Sequence, residues 1–389
     1  MIVREAESTL HRLAKGFPVL CITGPRQSGK TTLARMAFPG KAYLSLEDPD
    51  IARLAREDPR GLLAGYKDGL ILDEAQYVPG IFAYLKTAVD AGSRPGAFIV
   101  TGSQQFSLMA GVTESLAGRA AFLRLLPFSI SELRSAAKAE MDPFEAMIKG
   151  FYPPLYDRDL APYDWYTNYI ASYLEQDVRS LLNVKDLSSF QTFVKMCAAR
   201  VGQLLNINAL ALDCGLSHNT ARAWLSVLEA SGLVYLLAPY HRNFGKRLVK
   251  SPKLYFVDTG LAARLLGIKD AQQLFIHPNR GNLFESFVVS ELLKSGYNKG
   301  IDPGLHFWRD NVGTEVDVVF EEGLRLRAVE IKSGKTFSPE HLQGLEAWMR
   351  FSTSRVQDCA MVYAGETGLS YKDLAIVSWS EAGNLIAAL

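Results

Sequence analysis

Apolar and polar positions divide this chain into three stretches with different rhythms. In the first third, short apolar runs (FPVLCITG, KAYLSL, GLILDEA, GAFIVTG) alternate with segments whose apolar residues recur at helical spacing (GKTTLARMAF, PDIARLARED, GIFAYLKTAVDAG). The runs predict buried strands and the intervening segments predict crossover helices, the signature of a parallel α/β sheet with helices on both faces. Prolines at 127, 143, 153 and 154 close that unit. A helix is predicted from about Tyr163 to Leu182, with Tyr169, Tyr173 and Leu174 on one face and Glu175, Asp177 and Arg179 on or near the other. From Ile207 the pattern gives two short helices around the turn CGLS, a strand VYLLAPY, a basic loop and a strand KLYFVD. Helices and alternating strands follow, with a hairpin in TEVDVVFEEGLRLRAVEIKSG. The expected domains are 1–138, 139–254 and 255–389.

Composition narrows the class. Of 389 residues, 48% are apolar and 21% charged, the usage of an ordinary globular protein. No apolar run approaches the ~20 residues of a membrane-spanning helix, and the N-terminus is charged and amphipathic, so a cytoplasmic location without membrane partners is expected. Cys21, Cys197, Cys214 and Cys359 are scattered, without the spacing of a zinc site or a disulfide framework. A net charge of +1 gives no global attraction to nucleic acid. One local excess stands out, YHRNFGKRLVKSPK (240–253), which holds His241, Arg242, Lys246, Arg247, Lys250 and Lys253 and no acid.

The clearest chemistry follows the first strand. GPRQSGKTT supplies Gly24, Pro25, Arg26, Gln27, Ser28, Gly29, Lys30, Thr31 and Thr32, the spacing of a phosphate-cradling loop. Its glycines let successive backbone N–H groups curl around phosphates at a helix N-terminus. Lys30 is expected to reach the β and γ phosphates of ATP, and Thr31 to offer its hydroxyl to Mg²⁺. In LILDEAQ, Asp73 and Glu74 end an apolar strand. Asp73 is expected to hold Mg²⁺ through water, and Glu74 to orient or deprotonate the attacking water. Ser103 and Gln104 end a further strand, where their polar groups are expected to sit between the Asp73–Glu74 pair and the γ-phosphate as a sensor, with Ser103 preferred.

The order GPRQSGKTT, LILDEAQ, IVTGSQQFSL, SLAGRAAFLRLLPFS resembles the AAA+-like archaeal-type ATPase family, within the P-loop NTPase class. That resemblance implies an arginine finger at Arg119, acting across a subunit boundary, and hence a homo-oligomer.

The segment INALALDCGLSHNTARAWLSVLEASGLVYLL fits a helix-turn-helix: Leu210 and Leu212 on the first helix, Gly215 in the turn, and Ala221, Trp224, Leu225 and Leu228 on the buried face of the second. His218, Asn219, Thr220 and Arg222 are left exposed, and the basic hairpin completes a winged helix. DNA or another nucleic acid is a candidate partner; a lid packed on the ATPase is the alternative.

In the C-terminal hairpin, alternation puts Glu315 and Asp317 on one face of one strand, Glu330 and Lys332 on one face of the next, and Asp317 roughly opposite Glu330. Such carboxylates can hold a second divalent metal while the lysine positions a hydrolytic water. Glu285 lies among apolar neighbours on an upstream helix. Asp317, Glu330, Ile331 and Lys332, with Glu285, resemble the PD-(D/E)XK nuclease superfamily, although Val316 stands where the name has proline. The resemblance implies a small α/β restriction-endonuclease-like domain. The whole chain is similar to bacterial and archaeal ATPases that carry such a domain. The expected function is an Mg²⁺-dependent ATPase whose nucleotide state controls a nucleic-acid-acting domain; the alternative is a nucleotide-dependent switch or scaffold whose inactive nuclease-like domain binds protein partners.

Overall fold

A computed structural model of the chain describes residues 2–103, 112, 115–138, 142–182, 187–240, 250–310, 312–352 and 354–386. His241, Arg242, Lys246, Arg247 and Gln104 lie outside the described residues, as do the side chains of Tyr173, Leu174, Glu175, Asp177 and Arg179. The chain forms two compact units: Met1–Phe128 with Ala230–Gly232 and Tyr297–Ile301, and Ser129–Glu229 with Leu233–Gly296 and Asp302–Leu389. No helix among the described residues is long and apolar enough to cross a membrane.

The first unit is built on a five-stranded parallel sheet of β1 (Val19–Thr23), β2 (Ala42–Ser45), β3 (Leu70–Asp73), β4 (Phe98–Gly102) and β5 (Ala120–Arg124), in the order β2-β3-β4-β1-β5. Every residue of β1, β3 and β4 is buried, which explains why these strands read as continuous apolar runs rather than alternating ones. Successive side chains feed opposite cores. Cys21, Leu70, Leu72 and Val100 pack with Ile81, Phe82 and Leu85, whereas Leu20, Ile22, Ile71 and Ile99 pack with Leu33 and Ala34. The strand order has one functional consequence: β4 separates β3 from β1, so a residue at the C-terminal end of β4 lies between the loops that leave its two neighbours.

The second unit carries an eight-stranded mixed sheet. Its strands are β6 (Val234–Pro239), β7 (Lys253–Phe256), β8 (His306–Arg309), β9 (Glu315–Glu322), β10 (Arg325–Lys332), β11 (Cys359–Tyr363), β12 (Leu369–Tyr371) and β13 (Leu374–Ser378), in the order β12-β13-β11-β10-β9-β8-β6-β7. Antiparallel β9 and β10 pair Arg325 with Glu322 and Val329 with Val318 around Gly323, as the sequence predicts. The hairpin expected as a wing is β6 with β7, and β6 continues into a parallel pairing with β8 through Ala238 and His306. It is therefore one end of the C-terminal sheet, and the expected boundary at 254/255 falls inside β7.

Ahead of that hairpin, helices Ile207–Asp213 and His218–Ala230 flank Gly215, whose φ of +66° suits glycine in the turn. Ala221, Trp224, Leu225 and Leu228 are buried, with Phe190 and Phe193 of the helix Leu187–Ala199 edge-on to Trp224, while His218, Asn219 and Arg222 are exposed. Thr220 is half-buried and donates its backbone N–H to Ser217 Oγ at 3.1 Å. Leu212 is on the first helix, as expected, and is 83% exposed, because that short helix turns only Leu210 and Ala211 inward.

Candidate functional site

The loop after β1 adopts backbone angles that side chains resist. Gly24 has φ +147° and Gly29 φ +93°, and Gln27, a non-glycine, is held at φ +60°. A Cβ on Gly24 would stand 2.0 Å from the carbonyl oxygen of Leu125, so only glycine fits there. Pro25 and Ser28 are buried, Arg26 is half-buried, and Gln27 and Thr32 are exposed. Lys30 is 5% exposed and donates to the carbonyls of Gly24 (3.1 Å) and Pro25 (2.9 Å), which puts its ammonium across the loop. Ser28 Oγ is fully buried with no hydrogen-bond partner among the described residues. A buried hydroxyl of this kind at a helix N-terminus fits an anion-binding cradle.

Arg4 supports this loop, although no motif points to it. It is 6% exposed, donates to the carbonyls of Ser28 and Leu126 at 2.7 Å each, and lies 4.9 Å from the Phe128 ring centroid.

Asp73, the last residue of β3, collects three hydroxyls: Thr31 Oγ1 at 2.8 Å, Tyr43 OH at 2.9 Å and a close bond from Thr101. Thr31 and Asp73 thus set a hydroxyl and a carboxylate side by side, the hard oxygen donors that Mg²⁺ prefers. Glu74 follows in the left-handed region at φ +52°, its N–H bonded to Thr101 Oγ1 at 3.2 Å. Its Oε2 accepts from Ser103 Oγ (2.9 Å), Ser103 N (3.2 Å) and the Gln76 amide. Burial works to raise this carboxyl, but the Lys30 ammonium and the bonds from Gln76 and Ser103 outweigh it and hold Glu74 below its ordinary value. Ser103, expected between the Asp73–Glu74 pair and the γ-phosphate, is bonded to Glu74. Burial and the nearby Asp73 push the Tyr43 hydroxyl up to about 12, so it stays a donor. Tyr43, Gln76 and Thr101 carried no motif signal; each is placed by its strand or by the turn after it.

Arg119 precedes β5, where the register sets Ala120 beside Val19. It therefore sits at the N-terminal edge of the sheet, a five-residue strand or roughly 16 Å from the loop after Thr23. Its Nε donates to Asp90 at 2.6 Å. It does not join its own phosphate loop.

A second constellation forms in the C-terminal sheet. Glu285 on the helix Arg280–Asn298 and Glu315 and Asp317 on β9 bring oxygen atoms within 4.8 Å of one another, a grouping able to hold a metal ion. Glu330, expected to share a metal with Asp317, is not in that grouping. It pairs closely with Lys332, while Asp317 Oδ2 accepts from the N–H of Ile331 at 2.8 Å. Lys253 was read from sequence as part of the exposed basic stretch. It is instead 3% exposed on β7, 2.7 Å from Glu285, in close contact with Glu315 and 3.9 Å from Asp317. The Tyr255 hydroxyl bonds to Glu285, and Arg309 lies 3.2 Å from Glu315. Burial, reinforced by the charge of Asp317, pushes Glu285 up to about 7 and Glu330 well above the usual carboxylate range; burial also raises Asp317.

Comparison with known proteins places these sites in a family context. Residues 16–134 match a family described as "AAA domain"; residues 141–272 and 280–382 match two domains of unknown function, DUF8612 and DUF4143. The chain is 33% identical over 382 residues to the uncharacterized protein Rv2008c of Mycobacterium tuberculosis, covering 96% of this chain and 82% of the relative. It is 26% identical over 313 residues to an uncharacterized protein of Haemophilus influenzae, covering 71% and 74%. Among solved structures, the Walker-type ATPase paby2304 of Pyrococcus abyssi aligns over 67% of this chain and 94% of its own, at 14% identity and a TM-score of 0.45.

Proposed function

This chain belongs to the family of the mycobacterial protein Rv2008c, with an AAA P-loop domain at its head, and on that premise we propose that it is an Mg²⁺-dependent ATPase whose nucleotide state controls its C-terminal half. The observation that carries the proposal is the junction of β3 and β4, where Ser103 and Gln76 fix an ionised Glu74 beside the Lys30 loop. In this reading the backbone of Gly24–Thr32 and Lys30 bind the ATP phosphates. Thr31 and Asp73 hold Mg²⁺, which supplies charge neutralisation at those phosphates. Glu74 takes the proton of the attacking water, and Ser103 orients Glu74. Arg119 reaches the phosphates of a neighbouring subunit, since its own lie at the far edge of the sheet.

Two substitutions test the assignment. Lys30→Ala should abolish nucleotide binding, because Lys30 meets ground-state charge, whereas Glu74→Gln should bind ATP and stop turnover. Wild-type hydrolysis by Glu74→Gln protein would remove Glu74 as the base.

For the C-terminal half, the exposed His218, Asn219 and Arg222 on one helix support action on nucleic acid. A second reading, a nucleotide-dependent scaffold that binds protein partners, is favoured by the ion pairs of Lys253 and Lys332, which tie up the acids a nuclease would need. Nucleic-acid-stimulated ATP turnover would support the first reading and count against the second.

A further inference from the structure

The nuclease-like pattern implies a divalent metal on Asp317 and its neighbours, yet the space those oxygens enclose already receives a cation from the chain. We propose that Lys253 is a built-in counter-ion for the Glu285–Glu315–Asp317 triad and competes with a divalent metal for it.

Donors lie beside most of the triad's oxygens. Lys253 Nζ is 2.7 Å from Glu285 Oε1, contacts Glu315 Oε1 closely, and lies 3.9 Å from Asp317 Oδ1. The outer oxygens of Asp317 and Glu315 are met as well: Asp317 Oδ2 by the N–H of Ile331 at 2.8 Å and Glu315 Oε2 by Arg309 at 3.2 Å. Tyr255 adds a second donor to Glu285 Oε1. Lysine is well suited to this place, since its ammonium is a compact point charge with three donors, and here three carboxylates surround it. The lysine cannot easily withdraw. It is 3% exposed, its backbone sits in β7, and its ammonium lies 5.6 Å from the centroid of the Phe307 ring.

An Mg²⁺ or Mn²⁺ ion takes oxygen ligands only slightly beyond 2 Å away, so an ion on these three carboxylates would stand almost where the ammonium is. Two cations that close in a largely buried site repel strongly, because little solvent reaches them to screen the charge. Metal can occupy the triad only when Lys253 leaves it or loses its proton. The three acids are thus held together with no metal requirement, and the lysine sets how weakly a metal binds.

The test is Mn²⁺ binding to the full chain without nucleotide, read by the electron paramagnetic resonance signal of free Mn²⁺. Asp317→Asn in each background isolates the triad from the phosphate-loop site. Wild-type protein should show no Asp317-dependent site below millimolar Mn²⁺. Lys253→Met should show one at least about tenfold tighter, as expected when a buried like charge is removed. Equal Asp317-dependent affinity in the two proteins, or a micromolar site in the wild type, overturns the proposal. Lys253→Met also buries three carboxylates without their counter-ion, so its melting temperature is to be measured with and without Mn²⁺. Recovery of a folded protein on adding Mn²⁺ counts as the tighter site. If that variant folds under neither condition, the wild-type titration alone decides.

Discussion

Replacing Ser103 with alanine separates two roles that its position allows. At the end of β4 it could face the γ-phosphate, but its hydroxyl lies 2.9 Å from Glu74 Oε2 and is 3% exposed as a residue. A hydrogen bond to a charged group contributes about 1.5–3 kcal/mol, and Ser103→Ala removes one while leaving the backbone N–H and the Gln76 amide on the same oxygen. The lower half of that range is the better figure, because two donors remain. At 1.36 kcal/mol per factor of ten, turnover should fall by roughly 10- to 30-fold. ATP affinity should hold within about twofold, since no ground-state phosphate contact is lost.

The Lys30 charge and the Gln76 amide hold the Glu74 carboxyl below its ordinary value, and the same bond from Ser103 adds to them. A base acts only when ionised, so wild-type turnover should persist as pH falls and decline only once pH passes through that depressed value. In Ser103→Ala the acidic limb should move upward, because the charged form loses one of its donors. The assays are steady-state hydrolysis from about pH 8 down through the usual carboxylate range and below it, and binding of a fluorescent nucleotide. A variant that loses ATP affinity but keeps its turnover and its acidic limb would refute the reasoning and return Ser103 to the phosphate.

Arg119→Ala should keep ATP affinity and lose about 10³-fold in turnover, and mixing it with Glu74→Gln protein should restore part of the activity; unchanged turnover in the single variant would leave Arg119 as the partner of Asp90 and no more. Gly24→Ala should lower stability by at least about 1–3 kcal/mol in thermal melts, because it meets both a left-handed backbone and the Leu125 carbonyl. Exchanging Arg222 for alanine should weaken nucleic-acid binding and flatten its salt dependence by about 0.9 in the logarithmic slope if that side chain meets a duplex phosphate; an unchanged slope assigns it to the scaffold reading.

The sheet of the first unit was legible because β1, β3 and β4 are buried on both faces, which writes them as unbroken apolar runs, and because the glycines of the phosphate loop are forced by backbone angle. Asp73 and Glu74 were legible for the same reason, standing where an apolar run stops. Their supporting residues were not. Thr101 and Tyr43 are ordinary strand residues whose importance comes from a neighbour in the sheet, and neighbours are set by strand order, which local pattern does not contain. Lys253 misled most. A lysine in a basic stretch reads as solvated, and only the pairing of β7 with β6 turns it toward carboxylates more than thirty positions away, as the Glu285 contact spans. The inward face of the second helix-turn-helix element followed its period, with Ala221, Trp224, Leu225 and Leu228 all buried.

The parallel pairing of β6 with β8 also bears on how the protein is made. A ribosome releases β6 and β7 well before β8, and the hairpin they form presents the unpaired edge at Ala238 and Pro239 until β8 arrives. The helix Arg280–Asn298, which supplies Glu285, must form in that interval. During synthesis, then, Lys253 meets Glu285 while Glu315 and Asp317 are still inside the ribosome, and that first pair can anchor the hairpin against mispairing before the rest of the sheet emerges. Nascent chains stalled roughly 30–35 residues beyond Asn298, far enough for the helix to clear the exit tunnel, should protect β6 and β7 from proteolysis in wild-type protein and expose them when Glu285 is replaced by alanine.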